Sequence, residues 1–194
     1  MRISYNWLKE YIDIALTPNE LADALTMAGI EVEAIEDIGK PYDQVVIGHV
    51  LTKREHPNAD HLSICEVDVG RDTLSIVCGA PNVATGQKVP VALVGAHLPS
   101  GLKIKKAKIR GASSNGMICS EAELAVGEDA SGIMVLDETL SAGQSIAQAL
   151  GIDDVVFDLE VTPNRPDCLS TMGIARDVGA ITHSPVKLPD VSLS

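Results

Sequence analysis

The sequence predicts an α+β protein in which a small β-barrel is inserted into a second, smaller domain built from both chain ends. Three observations carry this. From about Val45 to Leu136 short apolar runs alternate with turn residues, while helical spacing is confined to the two ends. Neither end has enough elements to enclose a core alone, so the two must share one. A small barrel whose ends lie close together tolerates insertion into another domain. The boundaries read from the sequence are 1–39 plus 151–194 for the discontinuous α+β domain and 40–150 for the barrel.

Taken in order, the first helix is expected over Tyr5–Tyr11, with Ser4 as N-cap and Trp7, Leu8, Tyr11 and Ile12 on one face. The second starts at Thr17, with Pro18 at its first position, Glu20 completing a capping box, and Leu16 and Leu21 placed as a hydrophobic staple. Gly29 stops it, and the alternation from Ile30 to Ala34 predicts a strand. Gly39-Lys-Pro41 reads as a linker. Barrel strands are expected at Val45–Arg54, Leu62–Val69, Thr73–Cys78, Lys88–Val94, Lys103–Arg110, Gly116–Ser120 and Gly132–Leu136. Turns fall at Pro57-Asn58, Gly70–Asp72, Pro81-Asn82, Gly86-Gln87, Pro99–Gly101 and Asn115-Gly116. A short helix, Ala142–Leu150, ends at Gly151. A strand over Val155–Val161, a two-proline corner at Thr162–Asp167 and a helix to about Thr182 complete the second end. The tail from Ser184 to Ser194 reads as the start of a linker, and the chain as a piece of something longer.

The net charge is −12, yet residues 41–119 carry +3 in an otherwise acidic sequence. Salt screens charge beyond about 8–10 Å, so the local field is the one a ligand meets. Five of the cations stand in one stretch, Lys103-Ile-Lys-Lys-Ala-Lys-Ile-Arg110. The apolar positions Ile104, Ala107 and Ile109 mark it as a strand with one face buried, and their change of phase predicts a β-bulge at Lys105-Lys106. A row of lysines serves either to keep a sheet edge from pairing or to meet a phosphate backbone. Lys53 and Arg54 are candidates to extend the row.

Between Asp43 and Val156 there is no Phe, Tyr or Trp. Barrels that bind single strands stack bases on aromatic side chains at about 1–3 kcal/mol per base. No such platform is available here, which argues against base stacking along a single strand. Cys65, Cys78, Cys119 and Cys168 are far apart with no CxxC, which reads as buried reduced thiols. His56, His61 and Cys65 lack a fourth metal ligand. The N-terminus carries acid early and is not a signal peptide. The longest apolar run contains Pro90 and is too short to span a membrane. His56 and His61 read as turn residues, the alternative being weak stacking or a bond to phosphate, with Asn58 and Asp60 satisfying backbone groups by Asx-type bonds, and Asn82 reads as a structural residue of the Pro81-Asn82 turn. Ser120 and Glu123 read as a helix capping box rather than an acid–base pair. Asn164 and Arg165 read as a structural staple, with Asp158 or Asp167 as the partner of Arg165. No nucleophile, phosphate loop or catalytic constellation is present, so the piece is expected to be non-catalytic.

The stretches His56–Leu62, Cys78–Val83, Lys103–Arg110 and Gly116–Leu124 together resemble the OB-fold tRNA-binding domain shared by several synthetase-associated proteins. Ser4–Tyr11, and Thr162–Ser170 followed by Gly173–Arg176, are similar to the β subunit of bacterial phenylalanyl-tRNA synthetase. The resemblance implies a five-stranded OB-fold barrel and makes Lys103, Lys105, Lys106, Lys108 and Arg110, with Lys53 and Arg54, the tRNA-contacting set. It implies a cytoplasmic α2β2 ligase that charges phenylalanine-specific tRNA. ATP and Mg²⁺ act on the separate α subunit, and further β domains lie outside these residues. The alternative is a protein–protein docking or dimerisation module.

Overall fold

The structure, a computed structural model, describes residues 1–189. The chain divides into two compact units, one combining Met1–Ile38 with the stretch from Asp153 onward, the other Gly39–Ile152.

In the first unit the two ends interleave. Strands β1 (Arg2–Ser4) and β2 (Glu31–Asp37) flank β10 (Val155–Glu160), giving the antiparallel order β1-β10-β2. Phe157 pairs with Ile3 on one side and Ile35 on the other. The central strand therefore comes from the far end of the sequence, which is why neither end can build the sheet alone. Helices α1 (Tyr5–Tyr11), α2 (Pro18–Met27) and α5 (Thr171–Thr182) cover it around Leu8, Leu21, Leu25, Phe157 and Ile174. The ring of Tyr5 meets Phe157 edge-on at 6.0 Å. The caps are those expected: Trp7 N donates to Ser4 Oγ, and Thr17 and Glu20 form the reciprocal box. Leu16 and Leu21 both join the core, and Gly29 ends α2 at φ +91°.

Three elements differ from expectation. Gly39–Pro41 is not an open linker but leads into a 3₁₀ turn, Lys40–Tyr42. The start of the tail is tied down, because Val186 bridges Ile12 and Lys187 N donates to Tyr11 O. The rest of the expected linker, 190–194, lies outside the described residues. The helix expected at Ala142–Leu150 is only α4, Ile146–Leu150, because Gly143 sits at φ +84° in a turn and donates its N–H to Ile47 O.

The second unit is a nearly closed five-stranded antiparallel barrel of OB-fold type. Strands β3 (Val45–His56), β4 (Ala59–Asp68) and β5 (Thr73–Cys78) form a meander, and β6 (Lys88–Leu93) and β9 (Gly116–Ile118) follow on the other side of β3. The order is β5-β4-β3-β6-β9. The seam between β5 and β9 is held by Asn115 N–H donating to Ser75 O and by the hydroxyl of Ser114. That hydroxyl, on a residue 3% exposed, accepts from Val77 N and donates to Gly116 O. Valines 50, 67, 89 and 91, with Ile76 and Ile118, fill the interior. Gly48 is required here, since a Cβ would stand 2.5 Å from Val91 Cγ2 and 2.6 Å from Val67 Cγ1. The seventh expected strand, Gly132–Leu136, is absent. Met134 and Leu136 make only single backbone bonds to Cys119 and Lys88.

Candidate nucleic-acid interface

The cationic stretch lies in the long connection between β6 and β9, the fourth and fifth barrel strands, and is not the continuous strand the sequence suggested. Its near end folds back on itself. Lys103 bridges His97, Gly95 N donates to Ile104 O, Ile104 N donates to Ala96 O, and the Ile104 side chain is 5% exposed. Lys105 and Lys106 then leave any ladder. The strand resumes only as β7 (Ala107–Ile109), paired with β8 (Ala112–Ser114) in a separate hairpin. The physical reason is the loop Arg110-Gly111. Both residues have positive φ, +48° and +97°, the geometry of a two-residue hairpin turn. The chain therefore pairs with its own next residues instead of joining the barrel sheet. Ala107, expected on the buried face, is exposed.

Two side chains from the turn between β3 and β4 reach this hairpin. His56 is 5% exposed and its Nε2 lies 3.1 Å from Ile109 O. Its Nδ1 accepts the Asn58 N–H at 3.1 Å. One ring nitrogen thus accepts, so the proton sits on Nε2, which donates to Ile109 O. Asn58 Nδ2 donates to Arg110 O at 3.2 Å. His-Pro-Asn in a predicted turn had marked both as turn residues. Their reach to a segment 52 or 53 residues away could not be seen in the sequence. The Asp60 side chain, by contrast, makes no hydrogen bond among the described residues, contrary to the expectation of a turn-satisfying role.

All five cations, Lys103, Lys105, Lys106, Lys108 and Arg110, are exposed, and no hydrogen bond or ion pair holds their charged groups among the described residues. Lys103 and Lys105 edge a groove of about 490 Å³, whose other wall includes Ala80, Ile133 and Glu123. Asn82 holds that wall, exchanging two hydrogen bonds with Ile133 at 2.8 and 2.9 Å. Lys53 and Arg54 do not act as a pair. Successive strand residues face opposite ways, and Lys53 Nζ is already engaged, donating to Val83 O at 2.7 Å.

Ser120 and Glu123 form the expected capping box, at the start of α3 (Glu121–Leu124). Burial pushes the Cys119 thiol up to about 12 and Cys65 up to about 11, so at neutral pH neither is a thiolate. In the first unit Arg165 pairs with Asp167 at 2.8 Å, as expected, and with Asp177 of α5 at 2.6 Å, which replaces the expected Asp158. Asp158 instead receives the N-terminal ammonium. Asn164 makes no hydrogen bond among the described residues. The Arg165 hydrogen bond holds the Asp167 carboxyl down to about 2. Asp167, Cys168 and Asp177 are near enough to share a cation, but the Arg165 guanidinium already supplies the positive charge between the carboxylates.

A family profile described as "Putative tRNA binding domain" matches residues 45–145, the barrel with its cationic connection. Over 98% of its length the chain is 52% identical to the phenylalanine–tRNA ligase beta subunit of Syntrophus aciditrophicus. It is 52% identical over its full length to that of Oleidesulfovibrio alaskensis and 50% identical over 98% to that of Burkholderia pseudomallei. It spans 24% of the length of each of these relatives. Against a solved structure of a MetRS-related protein from Pyrococcus horikoshii, the TM-score is 0.43 at 19% identity, covering 57% of this chain and 96% of that one. A score that low leaves the barrel assignment to the strand order above.

Proposed function

Because the chain belongs to the tRNA-binding-domain family matched over residues 45–145, we propose that its barrel binds tRNA through the β6–β9 connection, as an accessory region of a phenylalanine–tRNA ligase β subunit. The observation that carries the reading is the place of the cations. In this fold the ligand side is formed by the loops joining strands 1–2 and 4–5 together with the face of strands 2 and 3. The five cations between Lys103 and Arg110 occupy the second of those loops with their charged groups unpaired among the described residues. Phosphate oxygens are their natural partners, so affinity comes from released counterions and is insensitive to sequence.

The identity to ligase β subunits supports phenylalanine-specific tRNA as the ligand and a ligase as the host. ATP- and Mg²⁺-dependent charging, the α subunit of an α2β2 assembly and a cytoplasmic location belong to the proposal for the whole protein. This piece contributes binding and no chemistry. Among the described residues no helix is long and apolar enough to cross a membrane.

A salt titration of tRNA binding by the 194-residue chain tests the reading. Five phosphate contacts correspond to a slope of about −4 in log K against log salt. Changing Lys103, Lys105, Lys106 and Lys108 together to Ala should leave a slope of about −1 and weaken binding at all salt concentrations. Unchanged binding by the four-lysine variant would remove the loop from the interface.

A further inference from the structure

Lysines on a flexible loop lose conformational freedom when phosphate orders them, at about 0.5–1.5 kcal/mol per long side chain, and mobile backbone adds to this. The hairpin that carries Lys108 and Arg110 is only three residue pairs long and forms a two-stranded sheet separate from the five barrel strands. An isolated two-stranded hairpin is marginal in water. Its turn also holds a non-glycine residue, Arg110, at φ +48°.

The two hydrogen bonds from the β3–β4 turn answer this. They fall on consecutive carbonyls, Ile109 O and Arg110 O, at the tip of the hairpin. Both donors are themselves placed by the same turn, since the Asn58 N–H is accepted by His56 Nδ1. The base of the hairpin is fixed separately by Ser114. Base and tip are therefore both tied while the cationic side chains stay free.

We propose that His56 and Asn58 are positioning residues for RNA binding, holding the Ile109 and Arg110 carbonyls so that Lys108 and Arg110 meet phosphates in a preset arrangement. The inference rests on the tRNA-binding reading and adds a role for two residues that themselves carry no charge to the ligand. The imidazole acts as a neutral bridge, accepting at Nδ1 and donating at Nε2. Asn58 acts through its amide donor.

A double-mutant cycle on the 194-residue chain tests it, with tRNA binding and its salt slope as readouts. Asn58→Ala removes one tip bond at an exposed position. His56→Asn keeps an acceptor near Nδ1 and loses the reach to Ile109. His56→Gln keeps a donor near Nε2. The first two should each weaken binding at least about threefold and lower the slope, with faster amide exchange over Lys108–Ala112. His56→Gln should stay closer to the parent protein. In a Lys108→Ala/Arg110→Ala background, Asn58→Ala and His56→Asn should have no further effect, because the charges they position are gone. Clamp variants that bind like the parent protein, or that weaken binding equally in both backgrounds, would overturn the positioning role. A Lys108→Ala/Arg110→Ala background that binds as tightly as the parent would instead overturn the RNA contact of the hairpin, so the two failures are distinguishable. Asn58 is exposed, so its variant keeps the test valid should changes at buried His56 impair folding.

Discussion

Arg165 and Arg110 are both held at turns, one in the two-proline corner of the α+β unit and the other at the tip of the barrel's hairpin. They differ in which part is held. The guanidinium of Arg165 is bonded to two carboxylates, at 2.8 and 2.6 Å, and the corner closes around it. At Arg110 the backbone carbonyl is held by Asn58 while the guanidinium is exposed and unpaired among the described residues. A cation whose head is satisfied within the fold is a structural part, however functional its motif looks. One whose backbone is anchored and whose head is free is available to a ligand. The contrast can be broken from either side.

The largest expected effect is at the Arg165 corner. A Cβ at Gly173 would stand 1.8 Å from Asp167 O, which no side-chain adjustment can relieve. Gly173→Ala should cost on the order of 4 kcal/mol or more and remove the unit's cooperative transition. Trp7, the chain's single tryptophan, lies in α1 of that unit, so its fluorescence during thermal melting reports the unit directly. A melting curve like the parent protein's would mean that the corner is not the rigid staple described.

Next comes Arg165 itself. Arg165→Ala leaves Asp167 and Asp177 facing each other without the cation, and should destabilise the unit near neutral pH, by less than Gly173→Ala does. Arg165→Lys should recover only part of this, since a single ammonium cannot reproduce the fork. The pH dependence has a definite sign. Arg165 lowers the Asp167 carboxyl from its ordinary 3.8 to about 2. The stabilisation from that pair is therefore present above about pH 4 and is lost as pH falls toward 2. The difference between parent and Arg165→Ala should be widest near neutral pH and narrow through that window. Asp167 is exposed, so added salt should shrink it too. A difference independent of pH would assign the loss to packing instead.

These two corners also mark what could be read in advance. The α+β unit was legible because its signals are local. Ser4, Thr17-Pro18 and Glu20 specify helix starts within a few residues, and the Arg165–Asp167 contact spans only two. Asp177 was missed because it arrives from α5, and its facing depends on how that helix packs. In the barrel, charge and composition located the cationic stretch, but not its geometry. The choice between one long strand and a hairpin was decided by Arg110-Gly111 adopting positive φ. A residue followed by Gly between Ile109 and Ala112 is a two-residue turn signal, masked here because Arg seldom takes that conformation. The contacts of His56 and Asn58 are tertiary, and a period or spacing in the sequence carries no trace of them.

The smallest expected effect sharpens the contrast most. Arg110→Ala removes a free head and leaves the Asn58 bond to the carbonyl, so stability should change by no more than about 0.5 kcal/mol. The salt slope of tRNA binding should nonetheless fall by about 1, the share of one phosphate contact. Arg110→Gly separates charge from backbone. Glycine accepts φ +48° without the steric penalty that any side chain meets there, so this variant should match Arg110→Ala in slope and equal or exceed the parent in stability. If the two variants agree in slope, binding follows the charge, and if they differ, the turn itself contributes. A drop in stability on Arg110→Ala as large as that on Arg165→Ala would mean that the Arg110 head is tied into the fold, and the distinction between the two arginines would fail.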